Sequence, residues 1–142
     1  MVQPGEVDDI VIAGMGAETI MEILEAAPWV FDPRCNLVLV PATKHSILRR
    51  WLARRGFALV GETLCQAAGR WYAVMNARYA GTKHEPEGLE CLCGKTESQP
   101  GFGAYCAQQN INLKKYRLGL APGAEADAVD GLIQELEKRS CL

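Results

Sequence analysis

The sequence lacks most of the features that would take it out of the ordinary globular class. No apolar run approaches the ~18 residues a membrane-crossing helix needs. The opening Met-Val-Gln-Pro-Gly-Glu has no basic stretch and no apolar stretch, so no signal peptide is expected and a cytoplasmic location is. Excess charge is missing too, with a net charge of -2 over 142 residues, which argues against a protein coated in positive potential. The cysteines lack the paired knuckles of structural zinc sites, in which two to four residues separate the two cysteines. Cys91-x-Cys93 with His84 and Cys106 does not match that spacing, and no metal site is expected. Cys35, Cys65, Cys91, Cys93, Cys106 and Cys141 are read as free, reduced thiols. No internal repeat is visible.

What is present is a chain of one domain's length, 49% hydrophobic and 23% charged, able to form a core. Its charge is segregated. Every charged residue from Glu6 to Asp32 is acidic, and every one from Lys44 to Arg55 is basic. Such a split can orient a polyanion even when the whole molecule is slightly acidic.

The hydrophobic pattern gives the order of elements. Asp9-Ile-Val-Ile-Ala13 leads into Gly14-Met-Gly16 and reads as a buried parallel strand, apolar on both faces. Ile20, Ile23, Leu24 and Ala27 recur at helical spacing until Pro28 stops them. Asn36-Leu-Val-Leu-Val40 reads as a second buried strand, ended by Pro41. A helix over 44–55 follows, with Ile47, Leu48, Trp51 and Leu52 on its inner face and Gly56 as its C-cap. Strands over 57–64 and 70–79 are joined by a turn too short for a parallel crossover, so they form an antiparallel hairpin. The order β-α-β-α-β-β implies an α/β fold with a doubly wound sheet. Residues 81–103, rich in Gly, Pro, Lys and Glu, read as a linker with a short element near Leu89 to Cys93. Two helices around Pro122-Gly123 then make a C-terminal helical hairpin over 104–142.

In open α/β sheets ligands bind beyond the carboxyl ends of the parallel strands. Two loops have that position here, 14–18 and 41–44. Gly14-x-Gly16-x-x-Thr19 has part of a dinucleotide fingerprint but lacks its third glycine and the acidic residue after the second strand. Glycines chosen only for a tight turn and close helix packing are the plainer alternative. Two readings also stand for the basic helix: a solvated outer face, or phosphate contacts by Lys44, Arg49, Arg50 and Arg54, which have no carboxylate near them in sequence. His45 at the helix start is expected to face solvent, and Trp29, Trp51, Trp71 and Tyr72 to belong to the core.

Taken together, these pieces resemble the tRNA (adenine(22)-N1)-methyltransferase family of class I S-adenosylmethionine enzymes. The matching stretches are Asp9-Ile-Val-Ile-Ala-Gly-Met-Gly16 with Ile20 and Ile23-Leu24, Leu37-Val-Leu-Val-Pro41, Leu48-Arg-Arg-Trp-Leu52 with Gly56-Phe57, and Gly69-Arg-Trp-Tyr72. The resemblance runs from about residue 7 to the end. It implies that residues 1–80 are the C-terminal half of a Rossmann-like sheet, its strands four to seven, without the family's cofactor-binding Asp-x-Gly loop and ribose carboxylate. It further implies S-adenosylmethionine as methyl donor, tRNA as partner, and Gly14, Met15, Gly16 and Pro41 beside donor and target base. No catalytic residue is named, because adenine N1 already carries a lone pair. A clipped sheet would expose apolar edges and invite self-association, and a non-catalytic RNA- or protein-binding remnant is the rival expectation. Three positions depart from the family pattern: Ala17 where glycine is usual, Val40-Pro41-Ala42 where the family has Gln-Pro-Asn, and Ala73 where glutamate is common.

Overall fold

A computed structural model describes residue 3 and residues 5–142. Its first six long elements follow the predicted order: β1 (Asp9–Met15), α1 (Ala17–Glu25), β2 (Asn36–Pro41), α2 (His45–Arg54), β3 (Phe57–Ala67) and β4 (Arg70–Tyr79). A 3-10 turn at Pro28–Val30 follows α1, since proline at its first position cannot extend the preceding helix. The four strands form one mixed sheet in the order β1-β2-β4-β3. β1 and β2 are parallel, and β4 runs antiparallel to both β2 and β3. Ala67 pairs with Arg70, leaving Ala68 and Gly69 as a two-residue turn. Both have positive φ, 51° and 77°, the arrangement whose twist matches an antiparallel hairpin. The predicted hairpin is therefore present, with β3 longer than expected.

One expectation about β1 and β2 is corrected. Ile10, Ile12, Leu37, Leu39, Met75 and Ala77 align across the sheet and join one core with Ile20, Leu24, Leu48, Leu52 and Tyr105. The alternate residues are less protected, and Val11 is 67% exposed. Among the described residues, then, these apolar strands are covered well on one face only, and β1 is an edge strand.

The segment read as a linker also differs. Its α3 (Gly88–Cys93) buries Cys91, Leu92 and Cys93, and Leu92, Cys93 and Phe102 join the main core. Gly94 packs against the Arg49–Glu62 pair and Gly101 against Trp71, so these glycines serve close contacts that composition alone does not reveal. The helical hairpin is α4 (Phe102–Leu118) and α5 (Ala124–Ser140). Glu125 and Asp127 in the first turn of α5, with Lys138 and Arg139 in its last, complement the helix dipole. Far from being a separate appendage, α4 inserts Phe102, Tyr105 and Cys106 into the core of the sheet.

Candidate active-site rim

Three segments meet at the carboxyl end of the parallel strands. Gly14, Met15 and Gly16 leave β1, residues 41–44 leave β2, and Arg70, Trp71 and Tyr72 open the antiparallel β4. Gly14 has φ 77°, next to an irregularity in the β1–β2 register, so a β-carbon there would be strained although nothing stands within 4 Å of it. Gly16 is the N-cap of α1, and a β-carbon on it would lie 3.2 Å from Thr43 Oγ1. The Ala42 N–H donates to the Met15 carbonyl at 2.8 Å, tying the first two segments together. Met15 is 41% exposed, whereas Pro41 is fully buried and forms the floor.

The four cations proposed for phosphate contact separate sharply. Arg50 is exposed, and among the described residues it makes no ion pair. Lys44 meets Glu18 at 2.6 Å and Arg54 meets Glu85 at 2.6 Å, both in exposed pairs. Arg49 is a correction. Its side chain is 2% exposed and its guanidinium meets the fully buried Glu62 carboxylate at 2.7 Å. It also donates to the Cys91 and Leu92 carbonyls at 2.9 and 3.1 Å and to the Tyr105 hydroxyl at 2.9 Å. With its donors committed inside the protein, Arg49 does not reach a phosphate. The buried face of α2 is His45, Leu48, Arg49, Leu52 and Ala53, and Ile47, expected inside, is 43% exposed. The stripe is rotated because the ion pair holds Arg49 inward.

His45 corrects a second expectation, being buried rather than solvated. Its Nδ1 lies 2.8 Å from the Tyr105 hydroxyl, and the two rings stack at 14°. That hydroxyl already accepts from Arg49 and, at 2.8 Å, from Gln109. Its single proton is therefore directed at His45 Nδ1. The other ring nitrogen then carries the N–H. Burial, reinforced by Arg49, lowers the His45 pKa from 6.5 to about 4. Burial likewise pushes Tyr105 up to about 12, with Arg49 pulling the other way. At neutral pH both groups are uncharged.

This gives a pH prediction. The unfolded chain binds a proton at His45 near pH 6.5 and the folded chain only near 4, so stability falls as pH drops through that window. The loss reaches at most about 3 kcal/mol below both values. Urea titrations between pH 7 and 4 should show the decline, and His45→Gln should flatten it. An unchanged slope in the variant would place the acid sensitivity elsewhere.

Gln108 is a further residue that sequence reading did not single out. Its side-chain oxygen accepts from the Trp71 N–H at 2.7 Å, and its nitrogen donates to the Trp71 carbonyl at 2.8 Å. Helix α4 thus grips two rim segments, His45 through Tyr105 and Trp71 through Gln108. The one available signal was Glu62, the only charge in an eleven-residue strand, which predicts a buried partner.

Two cavities lie away from this rim. One of about 300 Å³ is lined by Arg49, Phe57, His84, Glu90 and Lys95, and one of about 270 Å³ lies by Val7, Trp29 and Arg34. Neither joins the Gly14–Gly16 and Pro41 segments. Among the described residues no His, Cys, Asp or Glu group gathers as a metal site, and none of the helices is long and apolar enough to cross a membrane.

The chain is similar to several known proteins. A curated tRNA (adenine(22)-N(1))-methyltransferase of Bacillus subtilis is 31% identical over 118 residues, which are 82% of this chain and 48% of that protein. The chain therefore spans about half the length of this relative. The crystal structure of the B. subtilis m1A22 tRNA methyltransferase superposes with a TM-score of 0.67 at 25% identity, over 98% of this chain and 62% of that one. A Streptococcus pneumoniae candidate tRNA (m1A22) methyltransferase, solved with S-adenosyl-L-methionine, shares the fold at TM-score 0.72 and 24% identity, over 95% and 61%. The model of the methyltransferase domain matches residues 1–75, more than half of the sequence. The chain belongs to the methyltransferase domain family.

Proposed function

We propose that this chain forms the target-base side of an S-adenosylmethionine-dependent tRNA methyltransferase acting on N1 of adenine, at the family's position 22. The observation that carries the reading is the rim itself, where a glycine turn, a buried proline and a polar loop converge at the strand ends. The residues fit the methyl end of S-adenosylmethionine. The space beside Gly14 is open and Met15 is exposed, so ligand and backbone can approach closely. When bound, S-adenosylmethionine would supply an activated methyl on its sulfonium.

The chain's own residues would then act by position. Gly14, Met15 and Gly16 would flank the donor and the base, and Pro41 would set the depth of the pocket floor. His45, neutral at pH 7, would steady the start of α2 beside the rim loop through its hydrogen bond to Tyr105. Since N1 has a lone pair, the protein's task is to align it with the methyl in a water-poor cleft, and no covalent nucleophile is required. Arg50, Lys44 and Arg54 would meet tRNA phosphates. The exposed pairs of the last two are worth only about 0–1 kcal/mol, so a phosphate can replace the carboxylate. The reading also includes a cytoplasmic setting and a pairing strand at the open β1 edge, where Val11 is exposed.

Titration calorimetry of S-adenosylmethionine into the purified chain tests the proposal, followed by methyl transfer to tRNA. Binding at micromolar strength supports it. A folded sample that binds tRNA but no donor would replace it with the non-catalytic RNA-binding reading.

A further inference from the structure

Most surface cations of this protein already face a carboxylate. Arg34 meets Asp32, Lys44 meets Glu18, Arg55 meets Glu25 and Arg117 meets Asp130, at 2.6 to 2.8 Å. Arg70 differs. It is exposed, and among the described residues it makes no ion pair. Its position is nevertheless defined. Nη2 lies 3.5 Å from the carbonyl of Ala42 in the rim loop, and the guanidinium sits 5.8 Å from the centre of the Tyr72 ring. The next residue, Trp71, is held by both hydrogen bonds of Gln108. On its other side Gly101 comes so near the Trp71 indole that a β-carbon would collide with it. The backbone beneath Arg70 is thus fixed, while the charged head remains open to a ligand.

A free guanidinium is a planar fork suited to two oxygens of a phosphodiester. Arg70 stands at the strand-end rim, next to the segments assigned to the methyl donor and target base. We propose that Arg70 is a phosphate-binding residue for the RNA substrate, anchoring the backbone beside the target adenine. This rests on the tRNA reading above and adds a contact that the basic helix α2 does not supply. Preorganisation favours Arg70 over Lys44 and Arg54, because no internal pair must break first and little ordering is left to do.

The test uses the full chain and an unmodified tRNA transcript, with Kd measured across a range of salt concentrations. Arg70→Gln should raise Kd roughly tenfold and reduce the slope of log K against log salt by about 1. Arg70→Lys should lie between, keeping charge but losing the fork. Arg78→Gln removes another exposed charge at the opposite end of β4, and should change Kd by no more than about twofold if position matters. Wild-type binding with an indifferent Arg70→Gln overturns this proposal and leaves the tRNA reading standing. An equal loss in Arg78→Gln also overturns it, since net charge alone would then explain the effect. No binding of tRNA by the wild-type chain removes both.

Discussion

Replacing Glu62 with alanine is expected to cost about 3–5 kcal/mol of folding stability, measured as a shift in urea midpoint. The size follows from what remains behind. Arg49 keeps its charge with 2% of its side chain exposed, and loses the only carboxylate that neutralises it among the described residues. Glu62 accepts from Arg49 Nη2 at 2.7 Å and Nε at 3.1 Å, and from the Lys95 N–H at 2.7 Å. Burial opposes the Arg49 charge, but Tyr105 and Glu62 outweigh it and hold its pKa above the usual value. An uncompensated charge in this place is far costlier than a broken surface pair, worth about 0–1 kcal/mol. Domains of this size have about 5–15 kcal/mol in total, so the variant should be partly unfolded on warming. The double variant Arg49→Met/Glu62→Leu should recover much of the loss, because both desolvation penalties disappear together. Recovery would be incomplete, since the Cys91 and Leu92 carbonyls lose their donor. A single-variant cost below about 1 kcal/mol would show that the pair is solvated in solution.

Gly101→Ala is expected to cost about 2–5 kcal/mol. Gly101 precedes α4 with φ 88°, a left-handed conformation that costs an L-residue about 1–2 kcal/mol. The added β-carbon would also run into the Trp71 ring. That ring is rigid and packed against the core, so relief requires moving either β4 or α4, an overpacking cost of about 1–3 kcal/mol. Gly69→Ala separates the two contributions. Its φ is 77° and nothing lies within 4 Å of the position, so only the backbone cost should appear. Equal losses in the two variants would mean that the Trp71 contact is not tight. A larger loss at Gly101, accompanied by altered tryptophan fluorescence, would confirm that α4 seats directly on the rim.

Both variants concern joints between distant segments, and this is where sequence reading and structure diverge. Strand and helix order through residue 80 could be read because it depends on local periodicity and breakers. Ile20 and Leu24 share a helical face, Leu37 and Leu39 share a strand face, and Ala68-Gly69 permits only a hairpin. The loops 14–18 and 41–44 could be placed for the same reason, as they follow the strand ends, whereas the start of β4 beside them could not. The inner face of α2 could not. Ile47 is more apolar than Arg49, and only a carboxylate 13 residues away reverses the expected order. His45 and Tyr105 are 60 residues apart, and Trp71 and Gln108 are 37 apart. No window of sequence contains either pair.

By itself, then, the sequence determined the element order, the hairpin and the glycine–proline rim, through backbone sterics and hydrophobic periodicity acting within a few residues. The tertiary structure alone decided which cations are free for a ligand and that Leu92, Cys93, Phe102, Tyr105 and Cys106 belong to the core. Desolvation is the reason: a charge is available or committed according to which oxygens the folded chain brings within hydrogen-bonding reach, and that depends on contacts far apart in sequence.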